Sequence, residues 1–251
     1  MGGMPIAIIP ARYASTRFPG KALALLDGRA MIWHVAMRAK QARGFGRVIV
    51  ATDDERIRDA VASSGAEVVM TRAEHPTGTD RLAEVARTLD ADVVVNVQGD
   101  LPLVDPAMIE RLAARMAAEP ALPMATVAVP IHDEAEWRSP HVVKVVCDAA
   151  GRALYFSRSP IPHDRDGMRR SGTPLGWRHV GLYAYRREVL LRLAGLPPSP
   201  LEEREKLEQL RALEHGIAIG VVEWTGTGAP IEVDTPEDLE RAQAALGGRV
   251  P

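Results

Sequence analysis

The chain has 251 residues, 46% hydrophobic and 25% charged, with a formal net charge of −2, enough length for a sizeable α/β core. A near-neutral balance excludes a broad basic face for nucleic acid, and no run approaches the ~18 apolar residues of a membrane span. The single cysteine, Cys147, excludes an intrachain disulfide framework and fits a reducing compartment. Met1-Gly2-Gly3-Met4-Pro5 has neither a charged n-region nor a long apolar h-region, so the cytoplasm is the expected location.

The first predicted strand, 4–9, runs into Pro10-Ala11-Arg12-Tyr13-Ala14-Ser15-Thr16-Arg17-Phe18-Pro19-Gly20-Lys21. Open α/β sheets place ligands outside the carboxyl ends of their strands. Arg12, Arg17 and Lys21 in such a loop point to a polyanion, most naturally a triphosphate. Lysine acts there as a point charge, whereas arginine can bind phosphate bidentately. Gly20-Lys21 lacks the upstream glycine and the following Ser or Thr of a Walker loop. Further strands are predicted at 47–51, 66–70 and 92–97, with helices at 30–42, 54–63 and 79–89. Ile57, Ala60 and Val61, then Leu82, Val85, Ala86 and Leu89, fall at helical spacing. Nearly continuous Val/Ile runs indicate strands covered on both faces, hence a mostly parallel, doubly wound sheet.

Two turns in this half suit chemistry. In Met70-Thr71-Arg72-Ala73-Glu74-His75-Pro76-Thr77-Gly78-Thr79-Asp80-Arg81, Gly78 and Thr79 offer helix-start amides to a phosphate or a base edge, and Arg72 and Arg81 add charge. A capped helix with solvated arginines explains the same residues. Asp100 ends Val95-Asn96-Val97-Gln98-Gly99-Asp100, where a carboxylate faces the ligand edge of the sheet. Magnesium favours one or two carboxylates together with substrate phosphates. Alone, Asp100 reads more readily as a cap on the turn into a helix beginning at Asp105-Pro106-Ala107.

Beyond residue 125 the pattern turns strand-rich, with runs at 124–129, 141–147, 153–157, 178–185 and 217–223. Helices are expected at 186–194, at 202–214 with Leu207, Leu210 and Leu213 on one stripe, and at 236–246. Cys147 ends an apolar run and reads as a small core residue. The stretch 160–177 reads as a long loop, of the kind that is usually functional or disordered. In Glu232-Val233-Asp234-Thr235-Pro236-Glu237-Asp238, Thr235 is the expected N-cap, Pro236 the first helical residue, and Glu237 and Asp238 the acidic first turn. Asp234, just outside that helix, is left for another role. Trp33, Trp137, Trp177 and Trp224 read as packing anchors. Gly226-Thr227-Gly228 lacks the context of a nucleotide fingerprint. His75, His132, His141, His163 and His215 show no metal-ligand spacing. No repeat or linker divides the chain, which is read as a single α/β domain.

The opening loop resembles that of the 3-deoxy-manno-octulosonate cytidylyltransferase family. Similar stretches follow in order: Ala51-Thr52-Asp53, Met70-Thr71-Arg72, Gln98-Gly99-Asp100, Val143-Lys144-Val145-Val146, Phe156-Ser157-Arg158, Arg178-His179, Ser199-Pro200-Leu201-Glu202, Glu208-Gln209 and Val233-Asp234-Thr235-Pro236. The resemblance implies a Rossmann-like nucleotidyltransferase domain. Residues 1–123 would form mainly the nucleotide-binding half, 124–223 a smaller sugar-binding and dimerisation elaboration, and 224–251 the acidic turn and last helix. It implies that CTP and a 3-deoxy-octulosonate (Kdo) give the CMP-sugar and pyrophosphate with Mg2+, in a cytoplasmic homodimer serving lipopolysaccharide synthesis. Arg12, Lys21, Asp100 and Asp234 would be catalytic, with magnesium on Asp100 and Asp234. Pro10, Ala11, Arg17, Thr71, Arg72, Gly78, Thr79, Arg81 and Gln98 would join them on the nucleotide. Gln98, Arg158, His179, Tyr183, Glu208 and Gln209 would hold the sugar, with Arg158 or His179 available to its carboxylate.

Read singly, His179 is better explained as a satisfied core histidine, and Glu208 and Gln209 as a solvated helix face. The chain also departs from the family pattern. Leu101 stands where an acidic residue is expected and Asp80 where glutamate is usual. The 160–177 loop is short, with His163 in place of a tryptophan, and the 224–232 approach is long. Alternative readings are activation of 8-amino-Kdo or a neuraminate, or nucleotide binding without catalysis.

Overall fold

In the computed structural model, which describes residues 3–14, 18–165, 172–226 and 229–247, the first half alternates strand and helix. Its elements are β1 (Ile6–Ala11), the hairpin β2 (Leu25–Leu26) and β3 (Arg29–Ala30), α1 (Met31–Gln41), β4 (Arg47–Thr52), α2 (Glu55–Val61), β5 (Glu67–Met70), α3 (Gly78–Arg87), β6 (Val93–Val97) and α4 (Pro106–Ala118). The second half holds β7 (Met124–Ile131), α5 (Glu134–Arg138), β8 (Lys144–Cys147), β9 (Ala153–Ser157), β10 (Gly176–Arg186), α6 (Arg187–Ala194), α7 (Pro200–Glu205), α8 (Gln209–Glu214), β11 (Ile219–Glu223) and α9 (Pro236–Leu246). No helix among the described residues is long and apolar enough to cross a membrane.

The main sheet runs β11-β7-β10-β6-β1-β4-β5, with β8 and β9 branching from β10. Along that path only β10 is antiparallel to its neighbours, so the sheet is mostly parallel as expected. The continuous apolar run of β1 has a direct cause. Ala7 and Ile9 feed one core layer with Ile32 and Val35 of α1, while Ile6 and Ile8 feed the opposite layer with Leu82 and Ala86 of α3. A third, smaller cluster of Leu26, Met31, Val233 and Ala242 pins α9 and its preceding acidic turn to the β2–β3 hairpin.

Several boundaries move. β1 extends past the expected 4–9, so that Pro10 and Ala11 pair in register with Ala51 and Thr52. β8 begins at Lys144 rather than 141. Cys147 is half-buried and its thiol is pushed up to about 11, chiefly by burial. The single helix expected over 202–214 is two helices, because Lys206 adopts a left-handed conformation (φ 55) that ends α7. Arg211 of α8 then reaches back across the break to Glu202, at 2.5 and 2.8 Å.

Candidate active site

The carboxyl ends of β1 and β6 lie side by side, and the turn after β6 folds over the first loop. A Cβ on residue 99 would stand 2.8 Å from the Pro10 carbonyl oxygen, so this approach requires Gly99. The next residue, Asp100, presents its carboxylate to Lys21 Nζ at 2.9 Å, and Asp234 presents its own to the same nitrogen at 2.9 Å. Lys21 also donates to the Val233 carbonyl at 3.1 Å, and Val233 N–H donates to the Asp100 carbonyl at 2.9 Å. Burial lowers the Lys21 pKa, but the charges and hydrogen bonds of Asp100 and Asp234 outweigh it, and the net shift is upward from 10.5. The ammonium is therefore firmly charged.

Local sequence explains how Asp234 is aimed. Thr235 caps α9 in a reciprocal capping box with Asp238, with Pro236 in the first turn. The Asp238 carboxylate also accepts the N–H groups of Asp234 and Thr235, at 3.0 and 2.9 Å. Val233 is fully buried. Asp234 thus sits between a buried anchor and a closed helix cap.

A cavity of about 270 Å3 opens over this cluster. Pro10, Ala11, Arg12, Lys21, Gly78, Arg81, Gln98, Asp100 and Asp234 line it, as do His75 and Thr77, which the sequence did not single out. Arg81 is 3% exposed; it donates to Asp53 at 3.1 Å and to the Thr71 hydroxyl. Thr71 is absent from the lining and acts through Arg81. Thr79 is buried in the first turn of α3. Arg72 points elsewhere: its side chain is 69% exposed and pairs with Glu84 at 3.3 Å. Asp80, one methylene shorter than glutamate, still completes the Thr77 capping box, accepting from Thr77 N–H at 3.2 Å and Oγ1 at 2.8 Å. Arg17 lies outside the described residues.

A second cavity, of about 880 Å3, adjoins the first, and Glu232 and Asp234 line both. Arg158, His179 and Gln209 line the second, whereas Tyr183 and Glu208 do not. Arg158 is held by backbone carbonyls: Nε donates to Glu205 O at 2.8 Å, Nη1 to Pro140 O at 3.0 Å and Nη2 to Lys206 O at 3.4 Å. The His179 ring packs edge-on against Phe156, and burial lowers its pKa from 6.5 to about 3, helped by the Arg178 charge. It is neutral at any ordinary pH. The Thr126 hydroxyl donates to Leu182 O at 2.7 Å, so at the 2.9 Å contact His179 Nε2–H is the donor and Nδ1 keeps its lone pair. Tyr183 is buried between His179 and Tyr185. Burial raises the Glu208 carboxyl, against opposing hydrogen bonds from Thr79 and Thr77. Glu208 Oε1 and Gln209 Nε2 are buried without hydrogen-bond partners, and of the two only Gln209 lines the cavity, where its amide can donate to a polar ligand.

Three side chains of this region escaped the sequence reading. Lys144 is fully buried and donates to Ser139 O (2.9 Å), Val142 O (2.6 Å) and Arg158 O (2.5 Å), tying together segments that wall the second cavity. Glu232 sits where the cavities meet, its carboxyl pushed up to about 7 by burial and then by the charges of Asp100 and Asp234. Arg178 lines the second cavity and pairs with Glu136 at 3.2 Å. A signal existed for two of them: Glu232 belongs to the acidic turn and Arg178 to the Arg178-His179 pair. Leu101 is 2% exposed in the core, so the additional carboxylate near the aspartate pair comes from Glu232.

The donor set suits magnesium. Two carboxylates converge on one cation, and Asp100 Oδ1 is buried without a hydrogen-bond partner. Among the described residues no group of three or more His, Cys, Asp or Glu forms a metal cage. That accords with an ion that takes one or two carboxylates and completes its shell with phosphates and water.

A cytidylyltransferase family model matches residues 6–219. The 3-deoxy-manno-octulosonate cytidylyltransferase of Syntrophotalea carbinolica is 56% identical over 247 residues, spanning 96% of this chain and 98% of the relative. That of Myxococcus xanthus is 54% identical over 246 residues, 97% of each chain. A solved CMP:2-keto-3-deoxy-manno-octonic acid synthetase complexed with CTP superposes with a TM-score of 0.91 at 44% identity, covering 99% of this chain and 100% of that one. At the level of fold alone, a 4-diphosphocytidyl-2C-methyl-D-erythritol synthase from Anaerococcus prevotii matches with a TM-score of 0.63 at 14% identity, over 97% of this chain and 96% of that one.

Proposed function

Since the chain belongs to the 3-deoxy-manno-octulosonate cytidylyltransferase family, we propose how its two cavities divide the family's reaction. The protein is a nucleotidyltransferase that activates Kdo with CTP, giving CMP-Kdo and pyrophosphate. The anomeric hydroxyl attacks the α-phosphate, and lipopolysaccharide assembly consumes the product. The observation that carries the residue assignment is the meeting of Asp100 and Asp234 on one cation where the cavities join.

The smaller cavity takes the nucleotide. Arg12 and Lys21 face the triphosphate, joined by Arg17 on the family resemblance alone, the amides of Gly78 and Thr79 add the positive end of α3, and Arg81, braced by Asp53 and Thr71, fixes the nucleotide's position. Phosphoryl transfer rests mainly on positioning and electrostatics, and these side chains provide both. Asp100 and Asp234 would hold magnesium, with Lys21 moving from the carboxylates to the phosphates. Bound there, magnesium supplies charge neutralisation at the α-phosphate and lowers the pKa of the attacking hydroxyl. The larger cavity takes the sugar, with Gln98 at its nucleotide side and Arg158, His179 and Gln209 on its wall. Neutral His179 would accept a sugar hydroxyl through Nδ1. Tyr183 and Glu208 back that wall, and Arg72 lies too far out to be assigned more than a peripheral part. Residues 1–123 form the nucleotide half, and 124–223 the sugar and dimer elaboration of a cytoplasmic homodimer.

The test is pyrophosphate release from CTP, ATP, GTP and UTP in turn, with Kdo, its 8-amino analogue or a neuraminate as acceptor and magnesium present. CTP with Kdo should give the highest turnover. Consumption of CTP with the neuraminate and not with Kdo would overturn the reading, and CTP binding without turnover would favour a nucleotide sensor.

A further inference from the structure

We propose that Arg178 is the receptor for the sugar's carboxylate, a role that rests on the reading of the larger cavity as the sugar site. The substrate's own chemistry restricts where that receptor stands. In a 2-keto-3-deoxy acid sugar the carboxylate is attached directly to the anomeric carbon, which also bears the attacking hydroxyl. A cation that binds it must therefore lie close to where the two cavities meet.

Among the described residues, the arginines lining the larger cavity are Arg158, Arg178 and Arg241. Arg158 Nε, Nη1 and Nη2 already donate to the carbonyls of Glu205, Pro140 and Lys206, which makes it a strut between loops. Arg241 is 67% exposed and pairs with Asp238. Arg178 is 26% exposed, and its one polar partner among the described residues is Glu136, through Nη1 alone at 3.2 Å. It is electrostatically coupled to Glu232, which lines both cavities. A part-exposed, single-contact ion pair is weak, whereas a guanidinium and a carboxylate can join through two parallel hydrogen bonds. The incoming carboxylate would displace Glu136. In this scheme Glu136 keeps the guanidinium oriented until substrate arrives and then yields it.

The experiment compares the sugar acid with its C1 amide, in steady-state turnover with CTP and magnesium. For the wild type the acid should be strongly preferred. Arg178→Met should raise the KM for the acid roughly a hundredfold, the scale expected for truncating one partner of a desolvated ion pair, and leave the amide's KM near its wild-type value. CTP binding, measured by titration calorimetry, should not change. Glu136→Gln provides a second, milder reading: freed from its competitor, Arg178 should bind the acid a few-fold more tightly without affecting the amide. An unaltered acid-to-amide preference in Arg178→Met overturns the assignment, as does collapse of that preference in Arg158→Met instead. Wild-type protein that binds CTP but turns over neither sugar would bring down the functional reading itself, and Arg178 with it.

Discussion

Asp100 and Asp234 each place one carboxylate oxygen 2.9 Å from the same nitrogen, Nζ of Lys21, although they come from opposite halves of the chain. One ends the exit turn of β6 and the other precedes the cap of α9. Two like charges so close destabilise each other unless a cation stands between them. The fold therefore carries a built-in counter-ion where the proposed chemistry needs a divalent one.

Asp100→Asn tests the metal role. The amide keeps the shape but removes the charge that the proposed site directs at the reacting phosphate. Turnover at saturating magnesium should fall about a hundredfold or more, while the CTP dissociation constant moves much less. Undiminished turnover would remove Asp100 from the metal site.

Lys21→Met removes the cation that Asp100 and Asp234 share. In chelator the variant should lose about 2 kcal/mol of stability, because the broken pair is only partly buried. Added magnesium should then raise its melting temperature more than it raises the parent's. The raised pKa of Lys21 puts its stabilising charge fully in place below its unfolded value of 10.5, and that contribution is lost only as pH rises through the folded value. The comparison is accordingly made near neutral pH. Equal responses to magnesium would mean that the ion does not occupy the gap between Asp100 and Asp234.

His179 makes the fold acid-sensitive. Its pKa falls from 6.5 to about 3 on folding, so between those values the unfolded chain takes up a proton that the native state refuses. The stability it contributes is complete above pH 6.5 and drains away as pH falls toward 3, by at most about 1.4 kcal/mol per unit. In His179→Gln that slope should vanish. Denaturant titrations of parent and variant should differ by a constant above pH 6.5 and converge below it; parallel decline at lower pH would refute the assignment.

Lys144→Met removes the donor shared by three carbonyl oxygens around a fully buried side chain, of which Ser139 O keeps the Val142 N–H at 3.2 Å. Each buried acceptor left unpaired costs about 1–3 kcal/mol, so with Val142 O and Arg158 O losing their donor a loss of about 2 kcal/mol or more is expected in urea. Because Ser139, Val142 and Arg158 wall the larger cavity, the KM for the sugar should rise more than the KM for CTP. Equal shifts in both would reduce Lys144 to a general stabiliser.

What could be read from the residues alone follows the range of the interactions involved. The parallel strands were legible because burial on both faces leaves unbroken apolar runs, as at Ile6-Ala7-Ile8-Ile9. The cap of α9 was legible because Thr235, Pro236 and Asp238 act on one another within one helical turn. The break at Lys206 was not, since a left-handed lysine does not disturb the Leu207, Leu210 and Leu213 stripe. The hairpin at Leu25–Ala30 carried an overlooked signal: Asp27 and Gly28 both take positive φ, as a two-residue hairpin turn requires. The saturation of Arg158 by three carbonyls, and the burial of Lys144 among three others, depend on contacts between distant segments. No local pattern announces them.

The reversal of β10 within the sheet has an evolutionary consequence. Running against β6 and β7, it brings its beginning, where Arg178 and His179 stand, to the edge at which the parallel strands end. The loops from β1 and β6 that line the smaller cavity come from other stretches of the chain. Selection can thus reshape the wall of the larger cavity through the entry to one strand without touching the loops that line the smaller one.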